Sequence, residues 1–180
     1  VGIYSILRVF TLPFAVVDGF GPVLGVLAAV TMVGGVVGAI AQSDIKRILA
    51  WHSISQVGYM LLGLALGTPL ALAGAVFYLV HHMIVKANLF LVSGLSRDIN
   101  GTMDLDRMGG LYQAYPVVAV LFFVPAFSLA GFPPLSGFWA KMILIRASLD
   151  IHQYWVAFVA AVVGLLTVIQ LAESKPSTPG

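Results

Sequence analysis

The stretch from Leu70 to Leu95, LALAGAVFYLVHHMIVKANLFLVSGL, decides the fold class of this chain. It is apolar over a length that can cross a bilayer, because a transmembrane helix needs about 20 residues. Lys86 lies near its middle, about one turn after His81 and His82. A lysine at bilayer depth is unfavourable by roughly 2.5–3.5 kcal/mol on insertion scales, so it is by default a functional-site hypothesis.

The composition of the whole chain is that of a polytopic membrane protein. Of its 180 residues, 60% are hydrophobic and 9% are charged, and the mean hydropathy is +1.02. A soluble domain averages about 25% charged residues, so this sequence cannot build a water-facing surface. We predict an all-α transmembrane bundle of five to six spans. The net charge of +2 then reflects loop residues that set topology and does not indicate a nucleic-acid partner.

The chain lacks the residues that several classes of catalytic and metal-binding chemistry require. The chain has no cysteine, which excludes a thiolate nucleophile and a Cys-ligated metal. It contains no phosphate-binding loop, no nucleophile elbow and no carboxylate pair for hydrolysis. Neighbouring histidines do not easily chelate one ion, and no carboxylate accompanies His81 and His82, so a metal site is not favoured. We expect no cofactor and no catalytic site of the chain's own.

Turn signals divide the chain into helices. The predicted helices cover residues 1–12 (the second half of a helix), 22–41, 45–65, 70–95, 115–148 and 153–172. The helix over 115–148 is too long for one straight span, and GFPPLSG at 131–137 interrupts it, giving two half-helices. A polar surface loop is predicted over 96–114. We expect an internal fragment of a longer protein, because the chain opens without Met, and a tail over 173–180 that is not native.

Small residues in the helix over 22–41 offer a packing surface. Gly34 and Gly38 form a G-x-x-x-G pair, which allows close approach of a second helix. The alternative is that Gly34 and Gly38 have no packing role, because small residues are tolerated at many positions of a membrane helix.

The polar residues around Lys86 indicate a proton path. His82 and Lys86 are four residues apart and so share one helix face, whereas His81 is rotated by about 100° from His82. A neutral imidazole can accept or pass a proton near pH 7. The alternatives for Lys86 are a structural ion pair or snorkelling to the interface, which its distance from both ends of the run disfavours.

Lys141 follows the predicted break by a few residues. A discontinuous helix exposes carbonyls and amides at bilayer depth, and a nearby cation responds to that field. Lys141 is therefore a second candidate for proton translocation. The alternative is an interfacial anchor beside Trp139.

The helix over 45–65 supplies two further candidates. His52 falls on one face with Gln56 and Tyr59, a polar stripe suited to water or proton contact. Lys46 opens this helix and is a candidate entrance for protons, although a loop charge that sets topology explains it equally well.

Three motifs carry a resemblance to a known family. SDIKRILAWHSISQVGYM (43–60), HHMIVKANLFLVSGL (81–95) and SLAGFPPLSGFWAK (128–141) resemble the antiporter-like family shared by Mrp-type cation/proton antiporters and the proton-pumping membrane subunits of respiratory complex I. Within that family, HHMIVKANLFL and KMILIRASLDIHQYW are most similar to the D-type subunit of Mrp antiporters.

The resemblance implies a roughly fourteen-helix fold of two inverted repeats, each with a broken helix. It assigns intramembrane proton-carrying positions to Lys86, preceded by His82, and to Lys141, and it aligns Lys46 with the lysine of the family's D-I-K-R motif. A Glu and a Lys that the family uses upstream are missing from this chain. The implied function is Na⁺(K⁺)/H⁺ antiport across a bacterial inner membrane, together with other subunits of the complex.

Two alternatives stay open at this point. The first is a proton-pumping membrane subunit of NADH:quinone oxidoreductase or of a related membrane-bound hydrogenase, in which electron transfer elsewhere drives the same polar axis. The second is a structural scaffold without an ion path.

Overall fold

The computed structural model describes residues 2–11, 20–101 and 115–173, and every regular element in these ranges is an α-helix. The helices are α1 (Gly2–Thr11), α2 (Phe20–Ile40), α3 (Ile45–Leu66), α4 (Pro69–Asn100), α5 (Pro116–Ala130), α6 (Ser136–Asp150) and α7 (Tyr154–Glu173). The prediction of an all-α membrane bundle is confirmed.

Short polar side chains and glycines fix the ends of α3 and α4. Asp44 caps α3 by accepting a hydrogen bond from the backbone N–H of Arg47 at 3.0 Å. Thr68 caps α4 by accepting from the N–H of Ala71 at 3.2 Å. Gly67 ends α3 in the left-handed region at φ 63°, where a residue without Cβ is favoured. A two-residue connection therefore turns the chain back on itself.

The predicted helix over 70–95 is longer in the structure, where α4 continues to Asn100 and ends at Gly101. The apolar run marks the length of helix that faces lipid, and backbone hydrogen bonding does not stop where that run stops. Arg97 lies in the last turn, where a cation interacts favourably with the helix dipole. Residues 96–100 of the predicted loop are thus helical, and residues 102–114 lie outside the described part.

At the other end of the chain, Glu173 is the last residue of α7, although the predicted tail began there. Residues 174–180 of that tail lie outside the described residues.

The Gly/Pro segment separates α5 from α6. Helix α5 ends at Ala130, Gly131 takes φ 92°, and α6 begins at Ser136. The interruption therefore spans 131–135, while Ser136 and Gly137 of the predicted 131–137 break already belong to α6. Pro133 and Pro134 lack the backbone N–H that would continue the hydrogen bonding of α5.

Helices α2 and α3 pack closely through glycine. A Cβ on Gly35 would reach the backbone of Ser55, and one on Gly58 would meet Ala28 O at 2.8 Å. Gly34, which the predicted G-x-x-x-G pair included, has nothing within 4 Å of a Cβ position, whereas Gly38 packs on the Trp51 ring. The close contact thus uses glycines one and four residues along from Gly34, because those positions face α3.

The core lies where five helices meet. Fully buried side chains from α2, α3, α4, α6 and α7 form one apolar cluster: Ala28, Met32, Val36, Tyr59, Met60, Leu62, Tyr78, Ala140, Leu144, Val156, Ala160 and Val163. Within the described ranges, three helices are long and apolar enough to cross a membrane, namely Phe20–Ile40, Ile45–Leu66 and Pro69–Ile99. Helices α5 and α7 contribute shorter apolar segments. Exposed faces carry valines such as Val23, Val30 and Val37, which suit contact with lipid.

Candidate functional site

Polar side chains are buried inside the bundle beside the apolar core. The buried set from α3, α4, α5, α6 and α7 comprises His52, Ser55, Gln56, His81, Lys86, Ser93, Ser96, Ser128, Lys141, Ser148, Thr167 and Gln170. Buried polar groups in a membrane protein are costly unless they are hydrogen-bonded or serve a path for ions. The partners of each therefore decide what this set can do.

Lys86 is only 6% exposed and points from α4 toward α3. Its Nζ donates a hydrogen bond to the backbone carbonyl of Leu49. Ser53 Oγ donates to the same carbonyl at 3.0 Å, so the acceptor is shared. Within the described ranges no carboxylate lies in ion-pair distance of Lys86. The alternative that Lys86 belongs to a structural ion pair therefore finds no partner in these ranges. The burial of Lys86 argues against snorkelling to the membrane interface.

Lys141 is also 6% exposed, and its position depends on the helix break. Its Nζ donates to the carbonyls of Leu129 at 3.1 Å and Ala130 at 3.0 Å. In a continuous helix these carbonyls would accept from the N–H groups four residues on, but those residues are Pro133 and Pro134, which have none. The ammonium group replaces both missing donors, so the prolines create the binding place of Lys141.

Gly131 leaves the room that this arrangement needs. A Cβ at Gly131 would lie 3.2 Å from Lys141 Cδ and 3.6 Å from its Nζ. Its φ of 92° also lies in the left-handed region, which side chains rarely adopt. Lys141 therefore belongs to the interior, and its alternative as an interfacial anchor beside Trp139 does not describe its contacts.

His81 connects α4 to the start of α6. Its Nδ1 lies 2.9 Å from Ser136 Oγ, which is 3.4 Å from Ser128 Oγ on α5. The His81 ring also stacks on Tyr78 with centroids 5.9 Å apart, and Tyr78 donates its hydroxyl hydrogen bond to Gln56 Oε1. A line of polar contacts thus joins the break to α3 across α4.

His52 lies between the two lysines in electrostatic terms, since the charges of Lys86 and Lys141 both act on its ring. No described residue meets hydrogen-bond geometry with either of its buried ring nitrogens, although the Gln170 side chain is close enough to interact with the ring. Gln56 Nε2 and Gln170 Oε1 are likewise buried without a hydrogen bond among the described residues. An unsatisfied buried polar group costs about 1–3 kcal/mol, so these atoms are suited to binding water. They extend the polar line toward α7.

His82 and Lys46 stand apart from this line. His82 is half-buried, and the charge of Lys86 acts on its ring. The two side chains form no hydrogen bond in the described structure, because Lys86 Nζ donates to the carbonyl of Leu49. Lys46 is exposed on the first turn of α3 and contacts none of the buried polar residues by hydrogen bonding within the described part. The roles assigned to both from the sequence stay predictions.

Metal ligands do not gather in the described residues. No group of three or more His, Cys, Asp or Glu side chains there is placed to hold an ion. The site is therefore one of ammonium, imidazole, hydroxyl and amide groups, which can pass protons through hydrogen bonds.

Within the described part, sequence reasoning missed four members of the polar line, one of which is Ser128 on α5. Tyr78 and Ser136 stand in an apolar helix and in the predicted break, and Gln170 stands in the apolar last helix. Gln170 Nε2 donates to Ala39 O at 3.0 Å, across 131 residues of sequence. The available signal was polarity itself: an isolated Gln in the apolar run GLLTVIQLA requires a partner.

Comparison with known proteins agrees with this architecture. Residues 1–167 match the family described as "NADH:quinone oxidoreductase/Mrp antiporter, TM". The chain belongs to this family. The resemblance carried by the three motifs is thereby confirmed, and the chain is an integral membrane protein.

Two relatives of known designation are similar over nearly the whole chain. The D subunit of the Na(+)/H(+) antiporter of Alkalihalophilus pseudofirmus is 53% identical over 174 residues, covering 96% of this chain and 35% of the relative. The D subunit of the Na(+)/H(+) antiporter of Bacillus subtilis is 39% identical, covering 93% of this chain and 34% of the relative. The chain thus spans about a third of the length of the curated relatives it matches.

Solved structures show the same fold. A chain of the Mrp complex from Dietzia sp. DQ12-45-1b matches with a TM-score of 0.91 and 42% identity, over 99% of this chain and 34% of that one. A chain of respiratory complex I from Thermus thermophilus matches with a TM-score of 0.89 and 25% identity, over 99% of this chain and 39% of that one.

Proposed function

We propose that this chain forms part of the proton path of a multisubunit monovalent cation (Na⁺/K⁺)/H⁺ antiporter in a bacterial cytoplasmic membrane. The observation that carries the proposal is the burial of Lys86 and Lys141, each held by backbone carbonyls and neither facing a carboxylate within the described residues. A lysine without a fixed counter-charge in a low dielectric is able to lose and regain its proton.

The proton would move between the two lysines through polar groups of three helices. From Lys86 it passes by way of His52 and bound water beside Gln170. It then reaches Lys141, whose ammonium group rests on the carbonyls of Leu129 and Ala130. Because both lysine charges act on the His52 ring, protonation at one lysine disfavours a proton on that ring and on the next site. This repulsion disfavours protonation of neighbouring sites at the same time, so a proton that arrives at one site promotes proton release from the next.

His81 supplies a second route to the break. Its Nδ1 contacts Ser136 Oγ, and the charge of Lys141 acts on its ring. An imidazole that donates through one nitrogen can accept through the other, so His81 is able to relay a proton between α4 and α6. His82 and Lys46 would act further out, between this axis and the aqueous phases.

Partners follow from the relatives. Both similar proteins carry the designation of an Na(+)/H(+) antiporter's D subunit, so other subunits of the same complex are the proposed partners, with H⁺ and Na⁺ or K⁺ as transported ions. The upstream Glu and Lys that the family resemblance implies would complete the path in the full-length protein.

A second candidate function is proton pumping in a respiratory NADH:quinone oxidoreductase. The structural likeness to a chain of complex I from Thermus thermophilus, at 25% identity, favours it. The higher identity to the Mrp chain, 42%, favours the antiporter. A purified complex that oxidises NADH would support the oxidoreductase, whereas cation-dependent proton release without an electron donor supports the antiporter.

The test uses the full-length protein expressed with its partner subunits in everted membrane vesicles that report cation-driven proton release. We expect Lys86→Gln and Lys141→Gln each to abolish the exchange. Arg146→Gln is the matched control, because Arg146 is exposed on the same helix as Lys141 and its removal also deletes one positive charge. Wild-type exchange in both lysine variants, at equal membrane content, would leave only the scaffold interpretation.

A further inference from the structure

Tyr59 presents its ring to the charge of Lys141. The Lys141 Nζ atom lies over the Tyr59 ring, 5.0 Å from its centroid. An ammonium group within about 6 Å of an aromatic face is attracted by the ring quadrupole, and more strongly where water is excluded. The carbonyls of Leu129 and Ala130 hold the other side of the same group. Lys141 is thus enclosed by two kinds of partial negative charge, neither of which can take its proton.

The ring of Tyr59 is fixed in this position. The residue is fully buried, and its hydroxyl donates a hydrogen bond to Ala160 O on α7 at 2.6 Å. On the other side the Tyr78 ring packs with a centroid distance of 5.7 Å and an interplanar angle of 56°. A ring tied at its hydroxyl and blocked at its flank cannot turn its face away from Lys141.

The corresponding contact of Lys86 is different. Lys86 Nζ lies 5.9 Å from the centroid of the Phe90 ring, one turn along the same helix, and Phe90 is 40% exposed. Of these two lysines, Lys141 is therefore the one whose ammonium group lies over a fully buried aromatic ring. Such a face favours the charged ammonium at the break without offering a base, since a π face accepts no proton.

We propose that Tyr59 is a positioning residue for proton transfer: its ring face stabilises and orients the protonated Lys141 against the carbonyls of the helix break. The proposal rests on the proposed function in one respect, that Lys141 carries a proton during transport. It assigns Tyr59 a role beyond filling the apolar core, since the charge of Lys141 lies over its ring face.

The test compares aromatic and aliphatic replacements in the full-length protein assembled with its subunits. We expect Tyr59→Phe, which keeps the ring, to retain cation-driven proton exchange, and Tyr59→Leu to lose about two- to thirtyfold, the range that cation–π contacts span from exposed to desolvated sites. Phenylalanines with increasing ring fluorination at position 59 keep the shape of the ring and weaken its quadrupole. Exchange should fall stepwise with each added fluorine, which a packing role does not produce.

Two controls separate the possible failures. The same fluorinated residues at Phe77, which is exposed on α4, should leave exchange unchanged and so account for the substitution procedure. If Lys141→Gln abolishes exchange while fluorination at position 59 has no graded effect, the inference is overturned and the proposed function stands. If Lys141→Gln retains exchange, the proposed function itself is wrong. Should Tyr59→Leu fail to assemble, the fluorinated series alone decides.

Discussion

Replacement of Lys141 by Met or by Gln separates its structural role from its transport role. Both variants remove the buried charge, so the free energy gained by no longer burying an ammonium group is the same in each and cancels in the comparison. They differ in hydrogen bonding. Met has no donor for the carbonyls of Leu129 and Ala130, whereas the Gln amide carries two N–H groups on a side chain one bond shorter.

The prolines set the size of the difference. Because Pro133 and Pro134 cannot donate, no backbone N–H in the break can replace the ammonium group as donor to the carbonyls of Leu129 and Ala130. Each buried carbonyl left unsatisfied costs about 1–3 kcal/mol. We expect Lys141→Met to be less stable than Lys141→Gln by up to about 1–3 kcal/mol for each carbonyl that the amide keeps satisfied, reduced by the cost of burying the amide oxygen, which Met does not have.

The measurement is thermal unfolding of the detergent-solubilised full-length protein, together with exchange in vesicles. Lys141→Gln should melt above Lys141→Met, and both should lack exchange. Equal melting of the two variants would refute the argument that the prolines leave these carbonyls dependent on residue 141.

Three further predictions concern packing, capping and the exposed lysine. Gly137→Ala would drive a Cβ into the backbone of Ser128, so we expect at least about 1–3 kcal/mol of destabilisation and loss of monodisperse protein on size exclusion. Gly94→Ala is its matched control in a helix with open space around the glycine, and should be neutral or stabilising by up to about 1 kcal/mol. Asp44→Ala removes the α3 cap and should lower stability by about 1 kcal/mol in denaturant unfolding, and a wild-type midpoint would contradict the capping role. Lys46→Gln should reduce exchange far less than removal of either buried lysine, whereas complete loss would place Lys46 within the path.

Local signals account for several helix ends in the structure. The turn at Gly67, the cap at Asp44 and the break at Gly131 all result from residues whose backbone preferences act within a few positions, and of these the break was predicted from the sequence. The end of α4 was placed too early because hydropathy records contact with lipid and ends before the helix does. The helix itself continues to Asn100 and ends at Gly101, which adopts the left-handed conformation that commonly terminates a helix.

The site was predictable where composition alone carries the information. Lys86 and Lys141 stand out because any charge in such apolar surroundings is unusual. The face-sharing argument singled out His82 over His81, and the structure places His81 in direct contact with Ser136. Helical spacing relates residues on one helix, and it does not tell which face of α4 meets α6.

The sequence by itself determined that this is a helical membrane protein with a broken helix and two lysines in its interior. Hydropathy, proline chemistry and the cost of burying charge act locally, so no partner needed to be known. Only the tertiary structure decided what each lysine touches. Leu49 meets Lys86 across 37 residues, and Tyr59 reaches Ala160 across 101. Such pairs depend on which helix faces pack together, and that choice results from the whole bundle filling its core at once.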